Sequence, residues 1–175
     1  MVKTYNDLAC QSNWWPDNTL SLAKLNPKIA TLASDKGSLT SALIGLSNNN
    51  FAVNVLQQVI QLPFFHEQRK LGHPLSRAAM IREVELQLYG EPTVYARSII
   101  PLPLVAKGRN GLASLGRTPL GHLLFKDGQI RVSKRQFSQA LYRGTQVSAR
   151  RTPYDYQDSQ ILVSEFFLPA IYNYL

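Results

Sequence analysis

A chain of 175 residues that is 45% hydrophobic and 17% charged can bury a core of its own and is too apolar to remain disordered. Its one cysteine, Cys10, can close no internal disulfide, and no apolar run approaches the roughly 20 residues of a membrane helix. The first residues lack the apolar core of a secretory signal. The triplet Leu8-Ala9-Cys10 has the look of a lipoprotein cleavage site, but it follows polar Tyr5, Asn6 and Asp7 where an apolar stretch would be needed. One domain spanning residues 1–175, cytoplasmic and without membrane insertion, is the expectation. The net charge is +8, and Arg131, Lys134, Arg135, Arg143, Arg150 and Arg151 form a basic stretch with no acidic residue between them. Such a stretch is a nucleic-acid footprint, a solvated face or a field that steers a small anion. With no reader helix, zinc knuckle or stacking motif, nucleic acid is the weakest of the three.

Residues 1–37 are mixed in pattern, with Trp14-Trp15-Pro16 expected as a packed surface anchor. Ser38 predicts the cap of a short helix to Leu46, with Leu39, Leu43 and Ile44 on one face. Asn48-Asn49-Asn50 reads as a turn, and the alternation of Phe51, Val53 and Val55 predicts a strand. A hairpin runs from Arg77 to Ile100, its first strand reaching Tyr89 and its turn at Gly90-Glu91. Glycine at the first central position suits a type II′ turn. A polar, glycine-rich loop from Lys107 to Gly116 follows. Thr118-Pro119 then opens a short helix to about Phe125, and Asp127-Gly128 is a further turn. Gln129–Phe137 and Val147–Tyr154 are expected strands with a helical turn between them. Ile161 to Leu168, ended by Pro169, has the look of a buried strand. Sequential strands on short turns with a few short helices make the class α+β, an antiparallel sheet partly covered by helices.

Three residues break the pattern. In the strand Met80–Leu88, the even positions Met80, Val84, Leu86 and Leu88 are apolar and share a face, while Glu83, Glu85 and Gln87 lie opposite. Arg82 falls on the apolar face, where a guanidinium is costly without a partner. If the hairpin turn pairs Tyr89 with Pro92, then Arg82 faces Ile99 and Val84 faces Arg97. That register brings Arg97 to the same inner face as Arg82, a pair suited to a ligand with two carboxylates. Alternatively, each arginine is neutralised by a buried carboxylate such as Glu165. Glu165 is the third anomaly, on a face with Ile161, Val163 and Phe167. A carboxyl in such a place needs a donor or carries a raised pKa, as many functional carboxyls do. Two helix starts, at Leu39 and Leu120, also offer backbone N–H groups to an anion.

Rival chemistries find no support. His66, His73 and His122 lack metal-ligand spacing, and Gly108, Gly111 and Gly116 lack the spacing of a phosphate-binding loop. Ser164 sits in no nucleophile elbow. Cofactor-free chemistry is what remains.

These residues carry a resemblance. Arg82-Glu83-Val84 through Tyr89-Gly90-Glu91-Pro92, then Ala96-Arg97-Ser98-Ile99-Ile100-Pro101, resembles the central hairpin of bacterial chorismate pyruvate-lyases. So do Leu115-Gly116-Arg117-Thr118-Pro119-Leu120-Gly121 with Leu124-Phe125, and Ser164-Glu165-Phe166-Phe167-Leu168-Pro169. The likeness runs from about Arg77 to Pro169. Before that, only Leu25-Asn26-Pro27 and Gly37-Ser38-Leu39-Thr40 correspond. The resemblance implies an antiparallel sheet enclosing a buried pocket, and a monomer that splits chorismate into 4-hydroxybenzoate and pyruvate, the first committed step towards ubiquinone. It implies Arg82 and the Leu120 amide at the ring carboxylate, Glu165 at the hydroxyl, and Arg97 as a second pocket arginine, expected at the enolpyruvyl carboxylate and ether oxygen. Leu39 corresponds to a further binding position, where relatives carry methionine. No cofactor, metal or nucleic acid is implied. The competing expectation is a non-catalytic effector-binding domain of the same fold, as in some bacterial transcription regulators. Such domains follow a DNA-binding winged helix, for which this N-terminal stretch is too short and too poor in helix signals.

Overall fold

A computed structural model describes residues 5–72, 74–106, 109–126 and 130–175. Short helices open the chain: α1 (Tyr5–Gln11), α2 (Thr19–Leu22), α3 (Pro27–Ser34) and α4 (Leu39–Leu46), with the two-residue strand β1 (Trp15–Pro16) after α1. Polar side chains start three of them. Asn18, Asn26 and Ser38 each accept from a backbone N–H in the following turn, satisfying donors that a helix cannot satisfy itself. The expected cap at Ser38 and helix to Leu46 are therefore present. Asn48 and Asn49, both at positive φ, make the turn that follows.

The long elements come next: β2 (Phe51–Gln61), α5 (Phe65–Leu71), β3 (Ala79–Leu88), β4 (Glu91–Pro101), α6 (Leu102–Ala106), a 3-10 turn (Arg109–Ser114) and α7 (Leu120–Lys126). The chain then runs through β5 (Arg131–Val132), β6 (Gln136–Tyr142), β7 (Thr145–Tyr156), β8 (Ser159–Phe167) and a final 3-10 turn (Pro169–Tyr174). All strand pairs are antiparallel, in the order β1-β6-β7-β8-β4-β3-β2, with β5 on β7. The helical turn expected between Phe137 and Val147 is instead strand β6 and a hairpin at Arg143-Gly144. Leu141 and Tyr142 pair with Gln146 and Thr145, and β7 supplies the ladder that local pattern could not reveal. The Asp127-Gly128 turn and the start of the Gln129 strand lie outside the described residues, as does His73.

The central hairpin differs from expectation in a way that matters. Its turn is Tyr89-Gly90, both at positive φ (51° and 80°), the geometry of a type I′ turn rather than type II′. A bulge at Thr93 follows, because Leu86 pairs with Val94 while Gln87 pairs with Pro92. The net register therefore sets Arg82 opposite Ser98 and Glu83 opposite Arg97. A one-residue change of register reverses which face each side chain occupies. Arg82 and Arg97 lie on opposite faces of the sheet.

Both faces are covered. On one, α3, α4, α6 and α7 pack with Val84, Leu86, Val94, Ile100, Ile161, Val163 and Phe167. On the other, α1 meets Tyr95, Val147, Ala149 and Phe166, and α5 lies beside them. Tyr5 of α1 stacks on Tyr95 with ring centroids 4.5 Å apart, and Trp14 meets Phe166 edge-on. The tryptophan anchor thus packs onto the outer face while β1 pairs with β6. The basic stretch is not one surface: Arg135, Arg150 and Arg151 are buried, leaving Arg131, Lys134 and Arg143 exposed.

Candidate active site

Between the sheet and helices α4 and α7 lies a pocket that gathers four of the five residues singled out by sequence: Leu39, Arg82, Leu120 and Glu165. The sheet supplies the floor, with Val84, Leu86, Ala96 and Val163 among its apolar residues. The two helices supply the roof, and they meet closely. A β-carbon on Gly121 would stand 3.2 Å from the Thr40 hydroxyl, so any larger residue there would require the Thr40 side chain to give way by a few tenths of an ångström. Leu39 and Leu120, each the first residue of its helix, line this roof.

Arg82 is 2% exposed and meets no carboxylate among the described residues. It donates from Nη1 to Gln58 Oε1 at 3.0 Å, and from Nη2 to the carbonyls of Gly116 at 2.9 Å and Thr118 at 3.3 Å. Neutral acceptors orient the guanidinium but leave its charge uncompensated, and burial pushes its pKa down. An apolar pocket with such a group in its wall favours an anion.

Glu165 stands across β4 from Arg82's strand, opposite Ala96 on one side and Arg150 on the other. Arg150 Nε donates to Glu165 Oε2 at 2.5 Å, and both side chains are buried. The same guanidinium donates from Nη1 to the carbonyls of Leu32, Ala33 and Asp35, where the end of α3 carries partial negative charge. Glu165 is therefore an anchored acceptor with one carboxylate oxygen tied down. Beside it, Tyr154 lines the pocket, its phenol pushed up to about 12 by burial and by the Glu165 charge, so it remains a neutral hydroxyl.

Arg97 is corrected. It is fully buried on the other face, donating to Glu67 Oε1 at 2.8 Å, Glu67 Oε2 at 3.1 Å and Glu83 Oε1 at 2.6 Å, with its guanidinium 4.3 Å from the Phe64 ring. Burial works against its charge, but the two carboxylates outweigh burial and raise its pKa. Its valences are spent on protein carboxylates, and the whole thickness of the sheet separates it from the pocket. Sequence reasoning missed Arg150 and Tyr154. Strand alternation places Arg150, Thr152 and Tyr154 on one face, but that this is the pocket face follows only from pairing with β8. No group of three or more His, Cys, Asp or Glu side chains among the described residues could hold a metal. No helix among them is long and apolar enough to cross a membrane.

Comparison with known proteins gives the family and the fold. The chain is similar to a probable chorismate pyruvate-lyase of Pseudomonas putida, 36% identical over 79% of this chain and 80% of the relative. One from Methylococcus capsulatus is 34% identical (78% and 92% covered), and one from Halorhodospira halophila 32% (89% of each). Among solved structures, the effector domain of PhnF from Mycobacterium smegmatis superposes with a TM-score of 0.58 at 14% identity, covering 77% of this chain and 90% of that domain. A possible transcriptional regulator, YydK of Bacillus subtilis, gives 0.51 at 11% identity, covering 70% of this chain and 59% of that one. At such identities the likeness is one of fold, an antiparallel sheet with helices that enzyme and effector domain share. Family membership rests on sequence. The chorismate lyase family profile matches residues 9–174, nearly the whole described chain, and with relatives above 30% identity it places this protein in the chorismate lyase family.

Proposed function

We propose that this protein splits chorismate into 4-hydroxybenzoate and pyruvate, with Arg82 holding the ring carboxylate and Glu165 the hydroxyl on ring carbon 4. The observation that carries the assignment is Arg82, a buried guanidinium in a pocket wall whose acceptors among the described residues are all neutral. Arg150 ties down one oxygen of Glu165, and the carboxylate positions the hydroxyl at the opposite end. The backbone amide of Leu120 joins the carboxylate site, as the family resemblance implies, and Leu39 supplies a further binding position in the roof.

The chemistry asks little else of the protein. The ether bond at ring carbon 3 breaks, the hydrogen of carbon 4 passes to the methylene carbon of the departing enolpyruvyl group, and the ring becomes aromatic. Atoms balance with no oxidant or added base. The pocket contributes by holding one reactive geometry and by stabilising charge on the leaving group in a largely apolar setting. The proposal extends to a one-domain monomer acting in the cytoplasm on a small molecule, without cofactor, metal or nucleic acid.

The test is to incubate purified protein with chorismate and chelator, following 4-hydroxybenzoate by absorbance and pyruvate by a coupled assay. Equal amounts of both are expected, undiminished by chelation. Binding of chorismate without product would instead make this an effector-binding domain, and a different aromatic product would end the lyase assignment.

A further inference from the structure

Chorismate carries two carboxylates, and the pocket's charges match only one. Glu165 and Arg150 neutralise each other, so among the described residues Arg82 is the single uncompensated cation in the wall. Arg97 belongs to the other face. Arg131, Lys134 and Arg135 open on a separate cleft with Lys36 and Lys70. The enolpyruvyl carboxylate needs another partner.

Next to the pocket is a second cleft that shares Thr40 and Pro119 with it and extends to Phe51 and Val53 on the edge strand β2. Among the described residues that line it, Arg117 and His122 are the two cationic or potentially cationic ones, and none is a carboxylate. Arg117 is exposed and forms no ion pair among the described residues. Its backbone is fixed by the pocket itself, because Arg82 holds the carbonyls on either side of it, those of Gly116 and Thr118. One guanidinium in the pocket thus locks the segment that presents another at its mouth.

Resting on the chorismate reading above, we propose that this cleft is the vestibule of the pocket and that Arg117 takes the substrate's enolpyruvyl carboxylate. The ring carboxylate goes to Arg82 inside, and the side chain of the substrate reaches outward past Thr40 and Pro119. Pyruvate is then released at the open end, while 4-hydroxybenzoate remains within. A specific consequence follows: the dicarboxylate substrate senses Arg117, and the monocarboxylate product does not.

The experiment compares the two ligands on the same variants, using KM for chorismate, or its Kd by calorimetry where turnover is absent, and Kd for 4-hydroxybenzoate. Arg117→Ala is expected to weaken chorismate about tenfold while changing product affinity less than about twofold, the behaviour of a charge-assisted contact at a rim. Arg117→Lys should recover part of the loss, and Arg117→Glu should deepen it. Chorismate affinity unchanged in both the alanine and glutamate variants would overturn the inference, as would equal weakening of substrate and product. Absence of turnover in the parent protein would count against the lyase reading alone, since the binding comparison still decides the role of Arg117.

Discussion

The two faces of the central sheet treat their arginines differently. On the outer face, Arg97 has two carboxylates, a two-point contact from Nε and Nη2 to the two oxygens of Glu67, and an aromatic ring at 4.3 Å. On the inner face, Arg82 is also buried, but its hydrogen-bond partners among the described residues are an amide oxygen and two backbone carbonyls. The first arrangement is closed and cross-links β3, β4 and α5. The second is held open in charge, which is what a binding site for an anion requires. A buried arginine in a sequence is thus not informative by itself; the number of carboxylates around it separates a strut from a receptor.

This contrast can be broken at either end. The largest effect is expected on the outer face, where Arg97→Ala strands Glu67 and Glu83 in a buried setting and should cost about 3–5 kcal/mol of stability. Urea denaturation measures it, and a variant as stable as the parent would mean that water reaches the cluster. The folded fraction should bind 4-hydroxybenzoate as the parent does.

On the inner face the prediction is reversed. Arg82→Ala should weaken 4-hydroxybenzoate by about 2–5 kcal/mol, the usual cost of removing one partner from a desolvated charge pair. Its loss of stability should be smaller than that of Arg97→Ala, because no carboxylate is left alone. Lysine should restore binding only in part, having no planar fork. Calorimetric titration of both variants would show whether stability and affinity separate as the two faces require.

The smallest effect sharpens the outer face. His66 Nε2 lies 3.0 Å from the Ala9 carbonyl and Nδ1 lies 3.0 Å from Arg151 Nη1. Arginine can only donate, so Nδ1 accepts, Nε2 carries the hydrogen, and the ring is neutral. Burial first, and then the Arg151 and Arg97 charges against an opposing Glu67, hold its pKa below 6.5. A lowered pKa means that the unfolded chain binds the proton more readily. The contribution to stability is whole above the unfolded value and is lost as pH falls through it towards the folded one. His66→Gln keeps an acceptor and a donor but cannot titrate, so stability should fall less between about pH 7 and about pH 5 than in the parent. Parallel denaturation curves for the two proteins across that range would remove His66 from the account.

Much of the candidate site was legible along the chain. Arg82 and Glu165 stood out because strand alternation put a charge in an apolar row, and alternation is a property of local backbone geometry. The helix at Ser38, the helix after Thr118-Pro119 and the strand before Pro169 were likewise announced by caps, proline and run length. All these signals act within a few residues. Register does not. Gly90 suits either kind of two-residue turn, and the bulge at Thr93 is stabilised by partners on other segments, the Leu86 carbonyl and the Leu168 N–H. Those contacts decided the face of Arg97. In the same way, only the pairing of β7 with β8 turned Arg150 from a member of a basic stretch into the residue that anchors Glu165. Which residues were anomalous could be read along the chain, because propensity and alternation are local. The tertiary structure alone decided which anomalies met, because a one-residue shift between strands distant along the chain moves a side chain to the other face of the sheet.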